Sequence, residues 1–339
     1  MIDVLVAGGG PAGLATAIHA ALAGMEVVVV EPRPAPVDKA CGEGLMPSGV
    51  AALRALGVRE VSGHPLRGIR YLDGRHSADA PFRRGPGLGV RRTHLHAALA
   101  ERAAEVGVKI VRGRVDEVRR HPDRVEAAGM RARWLVAADG LHSPLRRALG
   151  LEAPPGPAPR RYGLRRHFRI APWTDFVEVH WAAGGEAYVT PVGGDLVGVA
   201  VLSSERRGYD EHLARFPDLL AHLDGPAVTP VRGAGPLRQR ASARVAGRVL
   251  LAGDAAGYMD ALTGEGVSLS LLSARALVGC LRAGRPEAYE AAWRRLSLRH
   301  RVLTGALLAA RRHPLPARLI VPAAHRLPAV FTAAVNALA

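Results

Sequence analysis

The feature that most limits what this chain can fold into is Gly8-Gly9-Gly10-Pro11-Ala12-Gly13, set between an apolar run and an alanine-rich one. Residues 2–7 form a short apolar stretch of the length of a strand buried on both faces. Gly8, Gly10 and Gly13 fill the G-x-G-x-x-G spacing. One glycine makes the tight turn, one lets backbone approach a pyrophosphate, and one lets the following helix close on the strand. A helix is predicted over 11–23, with its free N–H groups and positive dipole end at the pyrophosphate, beside Pro11 and Ala12. Residues 27–30 predict a second parallel strand, and Glu31 ends it, where a carboxylate can accept both hydroxyls of an adenosine ribose. An acid there favours an unphosphorylated ribose, hence FAD or NAD over NADP. A glycine turn serving only as a turn would not need strand, helix, strand and terminal acid in this order.

The chain of 339 residues has room for two domains or for one domain with a large insertion, and 48% apolar residues support a full core. No apolar run reaches the length of a membrane span, and Asp3 stands where a signal peptide would be basic, so a cytoplasmic protein is expected. Cys41 and Cys280 make no disulfide framework and suit a reducing compartment. The net charge is +16, yet all basic residues except Lys39 and Lys109 are arginines, scattered in the manner of a compositional habit. Nucleic-acid binding would want a clustered stripe or a recognisable module, and neither is present. Attraction for anionic substrates or membrane surfaces stays open. His167 and His180 have no metal-like partners and no H-E-x-x-H or cysteine pair occurs, so no metal is expected.

Along the chain, the prolines at 32, 34 and 36 demand a loop. A helix at 50–56 is closed by Gly57, hairpin strands lie around Asp73-Gly74, and a helix spans 92–106. Strands at 108–111, 115–119, 124–127 and 134–138 follow, the last running into Asp139-Gly140. The proline-rich segment 153–159 is the best boundary. Beyond it, strands at 163–170, 176–181, 187–191 and 196–202 make most of an antiparallel sheet. Residues 208–224 look helical, 248–251 return to a buried strand, and helices at 266–281 and 286–310 precede an apolar, proline-punctuated tail.

Three elements then form a set: the glycine turn, the run Asp139-Gly140-Leu141-His142-Ser143-Pro144-Leu145-Arg146 after a buried strand, and Gly253-Asp254-Ala255-Ala256-Gly257 after another, continuing to Gly264-Glu265-Gly266-Val267. In this combination the chain resembles the flavoprotein superfamily that holds para-hydroxybenzoate hydroxylase and the geranylgeranyl reductases, from Ile2 to about Arg295. The resemblance implies non-covalent FAD. It places Asp254 at a ribityl hydroxyl, and the helix opened by Gly264, Gly266 and Val267 at the flavin pyrimidine edge, where N–H groups and dipole would steady the charge of reduced flavin. It implies FAD phosphate or ribose contact for Arg92 and adenine contact for the backbone near Val115. Asp139 would shape the FAD and nicotinamide sites, while Ser143-Pro144 also reads as a helix N-cap pair. Arg33 and Gly42 are further cofactor-binding candidates.

Lys39-Ala40-Cys41-Gly42-Glu43 resembles the lysine-x-cysteine-glycine-glycine segment of the geranylgeranyl reductases, which lies beside the isoalloxazine, with Glu43 in place of the second glycine. Cys41 is a candidate proton donor, a thiol near the flavin, or a small packing residue. Glu43 either pairs with Lys39 or Arg33 or acts as an acid near substrate. The segment 187–193 resembles the aromatic-to-proline segment on the substrate-facing sheet of these reductases, with Tyr188 as a candidate substrate contact. Gly257 and Ala261 stand where aromatic hydroxylases carry histidine and proline, which moves the chain toward the reductase and natural-product branches.

The expected fold is α/β: a Rossmann-type FAD-binding domain in two pieces, 1–158 and 236–285, an inserted antiparallel substrate-binding β-sheet at 159–235, and a C-terminal helical segment at 286–339. The expected chemistry is NAD(P)H-driven. A monooxygenase, hydroxylating or epoxidising a hydrophobic or aromatic small molecule of secondary metabolism, is the commoner outcome in this superfamily. Reduction of carbon–carbon double bonds in an isoprenoid or lipid is the alternative, favoured by the Cys41 segment. A flavin-binding assembly or sensor protein without turnover is the reading from a different class. In the tail, 319–321 and 330–331 lie among Arg318, His325 and Arg326, a pattern that could skim a membrane or simply pack as helices.

Overall fold

Strand Ile2–Ala7 lies inside an eight-stranded sheet, flanked in parallel by Met130–Ala137 on one side and Val27–Glu31 on the other. Lys109–Arg112 extends this sheet beyond the second strand, and Val249–Leu251 extends it beyond Met130–Ala137, both in parallel. The first two strands are almost wholly apolar because the sheet is buried on both faces, with helix Pro11–Leu22 packed against both strands. Val4, Leu5, Val6, Val29, Leu135, Val136 and Leu250 are fully enclosed, each contributing roughly 1.5–3 kcal/mol relative to exposure. Helix Pro11–Leu22 packs on helix Gly266–Arg282, which joins the first and last thirds of the chain. The computed structural model describes every residue except 155, 157 and 158, so part of the proline-rich boundary segment lies outside the described residues.

The second sheet has seven strands, in the order Arg232–Ala234, Tyr162–Arg169, Leu196–Ser203, Gly185–Pro191, Phe176–Ala182, Gly68–Leu72, Ser77–Pro81. Gly185–Pro191 is buried along its whole length, because both faces of this sheet are also covered. Ala187 and Val189 face a cluster with Val197, Val199, Tyr209, Leu213 and Phe216, closed by short helices at Tyr209–Leu213 and Pro217–Leu220. Tyr188 faces the other way, into a cluster with Ile69, Tyr71, Trp181, Val321 and Phe331. The period-two alternation of a strand makes this division.

One boundary needs correction. The hairpin around Asp73-Gly74 belongs to the second sheet, although it falls inside the stretch 1–158 expected to serve the first. Gly68–Leu72 pairs in parallel with Phe176–Ala182, and Ile69 and Tyr71 bury their side chains beside Val179 and Trp181. Residues 208–224, expected as one helical stretch, form two short helices. The C-terminal region is helical throughout: Ala288–Arg311, Pro314–Arg326 and Pro328–Leu338, the last two each opened by proline. Helices Pro314–Arg326 and Pro328–Leu338 pack on Ser77–Pro81. Among the described residues no helix is long and apolar enough to cross a membrane.

Candidate active site

At the glycine turn the three glycines do different work. Gly8 has φ +106°, and a Cβ there would strike the Ala138 carbonyl; a Cβ on Gly13 would strike the Gly8 carbonyl. A Cβ on Gly10 would meet only Nη2 of Arg92, at 3.9 Å, so this position opens onto a cavity. Helix Pro11–Leu22 starts with no side-chain cap and no acid in its first turn, which leaves its N–H groups for an anion. Glu31 Oε2 accepts from the Gly9 N–H at 2.7 Å, and Oε1 accepts from Arg33 Nε at 2.7 Å. Burial opposes its ionisation, but Arg33 and the Gly9 N–H overcome this and hold the carboxyl below the usual range. His96, which the sequence did not single out, sits with Nε2 3.0 Å from the Gly9 carbonyl; burial and then Arg92 lower its pKa, so a neutral ring donates there.

Arg146 binds the second motif to the third. Its side chain is fully buried and donates to the carbonyls of Leu141 and Ala255, at 3.1 and 3.2 Å, and to Gln239 Oε1 at 2.8 Å. Ser143 caps helix Pro144–Ala148 by accepting from the Arg146 N–H at 2.9 Å, as its sequence position suggests. Asp139 gives Oδ2 to the Leu145 N–H at 3.0 Å, while Oδ1 is buried with no partner, beside the cavity it lines. Burial raises the pKa of Asp139 despite Ser143 and the Leu145 N–H, and burial raises that of Asp254 despite Arg92 and Lys39. Lys39 is pushed down by burial and then by Arg33 and Arg92. Cations and acids thus converge on one end of the cavity.

Segment 38–44 reaches from that end to the second sheet. A Cβ on Gly140 would lie 3.1 Å from Lys39 Nζ, and one on Gly44 would lie 3.3 Å from Val177 Cγ2. Thr190 Oγ1 donates to the Gly42 carbonyl at 2.8 Å. Glu43 adopts φ +59° with its carboxylate enclosed: Oε1 accepts from the Arg92 N–H at 2.8 Å and Oε2 lies 2.5 Å from His167 Nε2. Its partners are therefore not Lys39 or Arg33, which face Gly140 and Glu31 instead. Arg165 Nη1 donates to His167 Nδ1 at 3.0 Å, and its Nη2 donates to Asp38 Oδ1 at 2.6 Å. Arg165 and His167 went unnoticed as site residues, yet they share one face of a predicted strand by its period of two. The Cys41 thiol lines the cavity and accepts from the Glu43 N–H at 3.4 Å. Tyr188 lines it with its ring, while its hydroxyl donates to the Leu262 carbonyl at 2.9 Å.

The cavity holds about 1340 Å³. Ordinary small-ligand sites occupy roughly 300–1,000 Å³, so it has room for a dinucleotide and a second molecule. Gly8, Gly10, Pro11, Ala12, Glu31, Arg33, Lys39, Arg92, Val115, Asp139 and Asp254 line its polar part, and Gly42, Gly264, Gly266 and Val267 also face it. Its other part is walled by Leu66, Ile69, Phe82, Val179, Leu202, Leu307, Phe331 and Val335. Of the sequence-selected positions, Gly13 alone does not face the cavity, since it packs on Gly8. Among the described residues no cluster suited to a metal occurs.

These residues fit FAD: an uncapped helix start, three nearby cations, an acid at the second strand's end, an orphaned Asp139 oxygen and an open cradle at Gly10. Fold and site together define an FAD-dependent oxidoreductase. The chain belongs to the family described as FAD binding domain, which matches residues 1–182. Menaquinone reductase of Mycolicibacterium smegmatis is 33% identical over 88% of this chain and 80% of its own length. Digeranylgeranylglycerophospholipid reductase 1 of Methanothermobacter thermautotrophicus is 29% identical over 78% and 73%. Monooxygenases are also among the matched relatives. The fold is shared with a flavin-dependent brominase in a triple-mutant form, with TM-score 0.84 at 18% identity over 99% of this chain and 94% of that one.

Proposed function

We propose that this oxidoreductase saturates carbon–carbon double bonds in the isoprenoid chain of a lipid, drawing hydride from NADH or NADPH. The observation that supports this most is the division of one cavity into a polar part from Gly10 to Asp254 and an apolar part from Leu66 to Val335. An isoprenoid chain presents nothing to hydrogen-bond, and an apolar wall favours it at about 25 cal/mol per Å² buried. Menaquinone and digeranylgeranylglycerophospholipid, the molecules in the two relatives' names, both carry such chains.

Bound FAD supplies hydride transfer. The chain's own groups do the rest. The apolar wall orients the double bond and keeps water out. Thr190 and His167, through Gly42 and Glu43, fix the segment that carries Cys41. The Cys41 thiol faces the cavity and gives its proton to the carbon that does not receive hydride, and solvent restores that proton afterwards. One carbon thus gains hydride and its neighbour a proton, while the nicotinamide is oxidised. Tyr188 and Glu43 hold structure, since their polar atoms are already engaged.

The test is an anaerobic incubation of the FAD-loaded protein with NADH or NADPH and either menaquinone or a geranylgeranyl lipid, followed by mass spectrometry. Gain of two hydrogens per double bond is expected. An unchanged lipid without oxygen, together with an oxygenated product in air, would replace this reading with a monooxygenase. Bound flavin that neither nicotinamide reduces would point to the non-catalytic class.

A further inference from the structure

Helix Ala288–Arg311 has two contrasting faces. Tyr289, Trp293, Ser297, His300 and Thr304 are buried. On the opposite face Leu298 and Val302 are 55% and 58% exposed, in one row with Ala306 at steps of four. Ala306 is both exposed and part of the cavity wall, so this row leads to the apolar part of the cavity. Helix Pro328–Leu338 repeats the arrangement. Val330 is 63% exposed, and Ala334 and Leu338, at the next two steps of four, line the same cavity. Two apolar rows therefore start in solvent and end at the chamber that would hold a lipid chain.

Past Glu290 the charge carried by these helices has one sign. No Asp or Glu follows Glu290, whereas eight arginines do. Glu290 itself is held by Arg244 and Arg294. Arg295 and Arg299 are exposed and flank the Leu298–Val302 row on the same helical face. An apolar stripe bordered by arginine is the pattern of a surface that lies in the plane of an anionic bilayer.

We propose that these two helices dock the protein on an anionic lipid bilayer, with the apolar part of the cavity opening against the membrane. An isoprenoid chain then passes from bilayer to cavity without crossing water. This rests on the isoprenoid-lipid reading of the cavity. The docking itself is independent of turnover, so the two can fail separately.

The experiment is flotation of the FAD-loaded full chain with equimolar phosphatidylglycerol and phosphatidylcholine vesicles, against pure phosphatidylcholine vesicles. Wild type should float with the anionic vesicles and lose most of this binding in high salt. Leu298→Glu/Val302→Glu should lose at least tenfold in the floated fraction while keeping its flavin absorbance and its turnover in detergent. Arg295→Gln/Arg299→Gln should weaken binding by roughly fivefold per arginine at low salt. Wild type that stays unfloated, or a Leu298→Glu/Val302→Glu protein that floats equally, overturns the proposal. So does a dimer broken by those glutamates with no flotation of either form. Wild type that floats but saturates no isoprenoid lipid leaves the docking standing and removes the substrate reading.

Discussion

His167 Nε2 lies 2.5 Å from Glu43 Oε2, in a pair enclosed between the second sheet and the segment that carries Cys41. Because the Arg165 guanidinium can only donate, Nδ1 of His167 accepts and Nε2 carries the proton toward Glu43. A glutamate at φ +59° costs about 1–2 kcal/mol of backbone strain that glycine would avoid. Removing the carboxylate leaves two buried donors, the His167 Nε2–H and the Arg92 N–H, without an acceptor, at about 1–3 kcal/mol each. Glu43→Gly should therefore destabilise the fold despite relieving the backbone, and Glu43→Gln should cost about 1–3 kcal/mol. Urea melts of the FAD-loaded forms decide it; a Glu43→Gly protein more stable than wild type would show that the pair contributes little.

Gly10 and Gly13 separate folding from cofactor binding. The Cβ of Gly10→Ala projects into the cavity and touches only the tip of Arg92, so the flavin-free protein should melt as wild type does while FAD binds far more weakly. Gly13→Ala drives a methyl into the Gly8 carbonyl and should lower the melting temperature even without FAD. Equal melting of the two flavin-free variants would contradict this assignment.

Asp254→Ala should yield largely flavin-free protein on purification, read from the visible absorbance per chain. Asp139→Asn keeps an acceptor for the Leu145 N–H and should lose FAD affinity with little loss of stability. Full occupancy in Asp254→Ala would refute its place at the cofactor.

Burial, with Glu186 nearby, raises Asp260 to about 6 in spite of Arg161. Between its ordinary value near 3.9 and about 6 the folded state binds the extra proton. Stability from this group is thus complete below that window and falls as pH rises through it, by as much as about 3 kcal/mol. Subtracting the stability profile of Asp260→Asn from that of wild type should isolate this fall between pH values of about 4 and 6. A flat difference would mean that Arg161 keeps the carboxyl ionised throughout.

Cys41→Ala should lower the saturation rate by about 10²–10⁴ while leaving FAD content unchanged. An unaltered rate would assign the proton to another group or to water.

Much of this was legible because it is local. The glycine turn, the acid at position 31 and the start of helix Gly266–Arg282 follow from spacing and from what a tight turn permits. The hairpin around Asp73-Gly74 was visible as a hairpin, but not its docking to Phe176–Ala182, since a strand's sequence does not name its partner. Glu43 reads from its neighbours as a partner of Lys39 or Arg33 or as an acid near substrate, because nothing adjacent reveals its burial; its partner His167 lies over a hundred residues away. Arg146 closed a recognisable motif, yet its role of tying Leu141 to Ala255 needs the third motif to be in place.

The parallel pairing of Gly68–Leu72 with Phe176–Ala182 also bears on how the protein can be taken apart. A fragment ending near residue 158 would keep that hairpin but lose every strand it pairs with outside itself. Its Ile69 and Tyr71 side chains and its open backbone edge would then be bare, a ready template for clumping. A fragment starting there would lack the hairpin that closes one edge of its sheet. The two sheets are thus stitched by the chain itself, and neither half should be obtainable as a well-behaved piece.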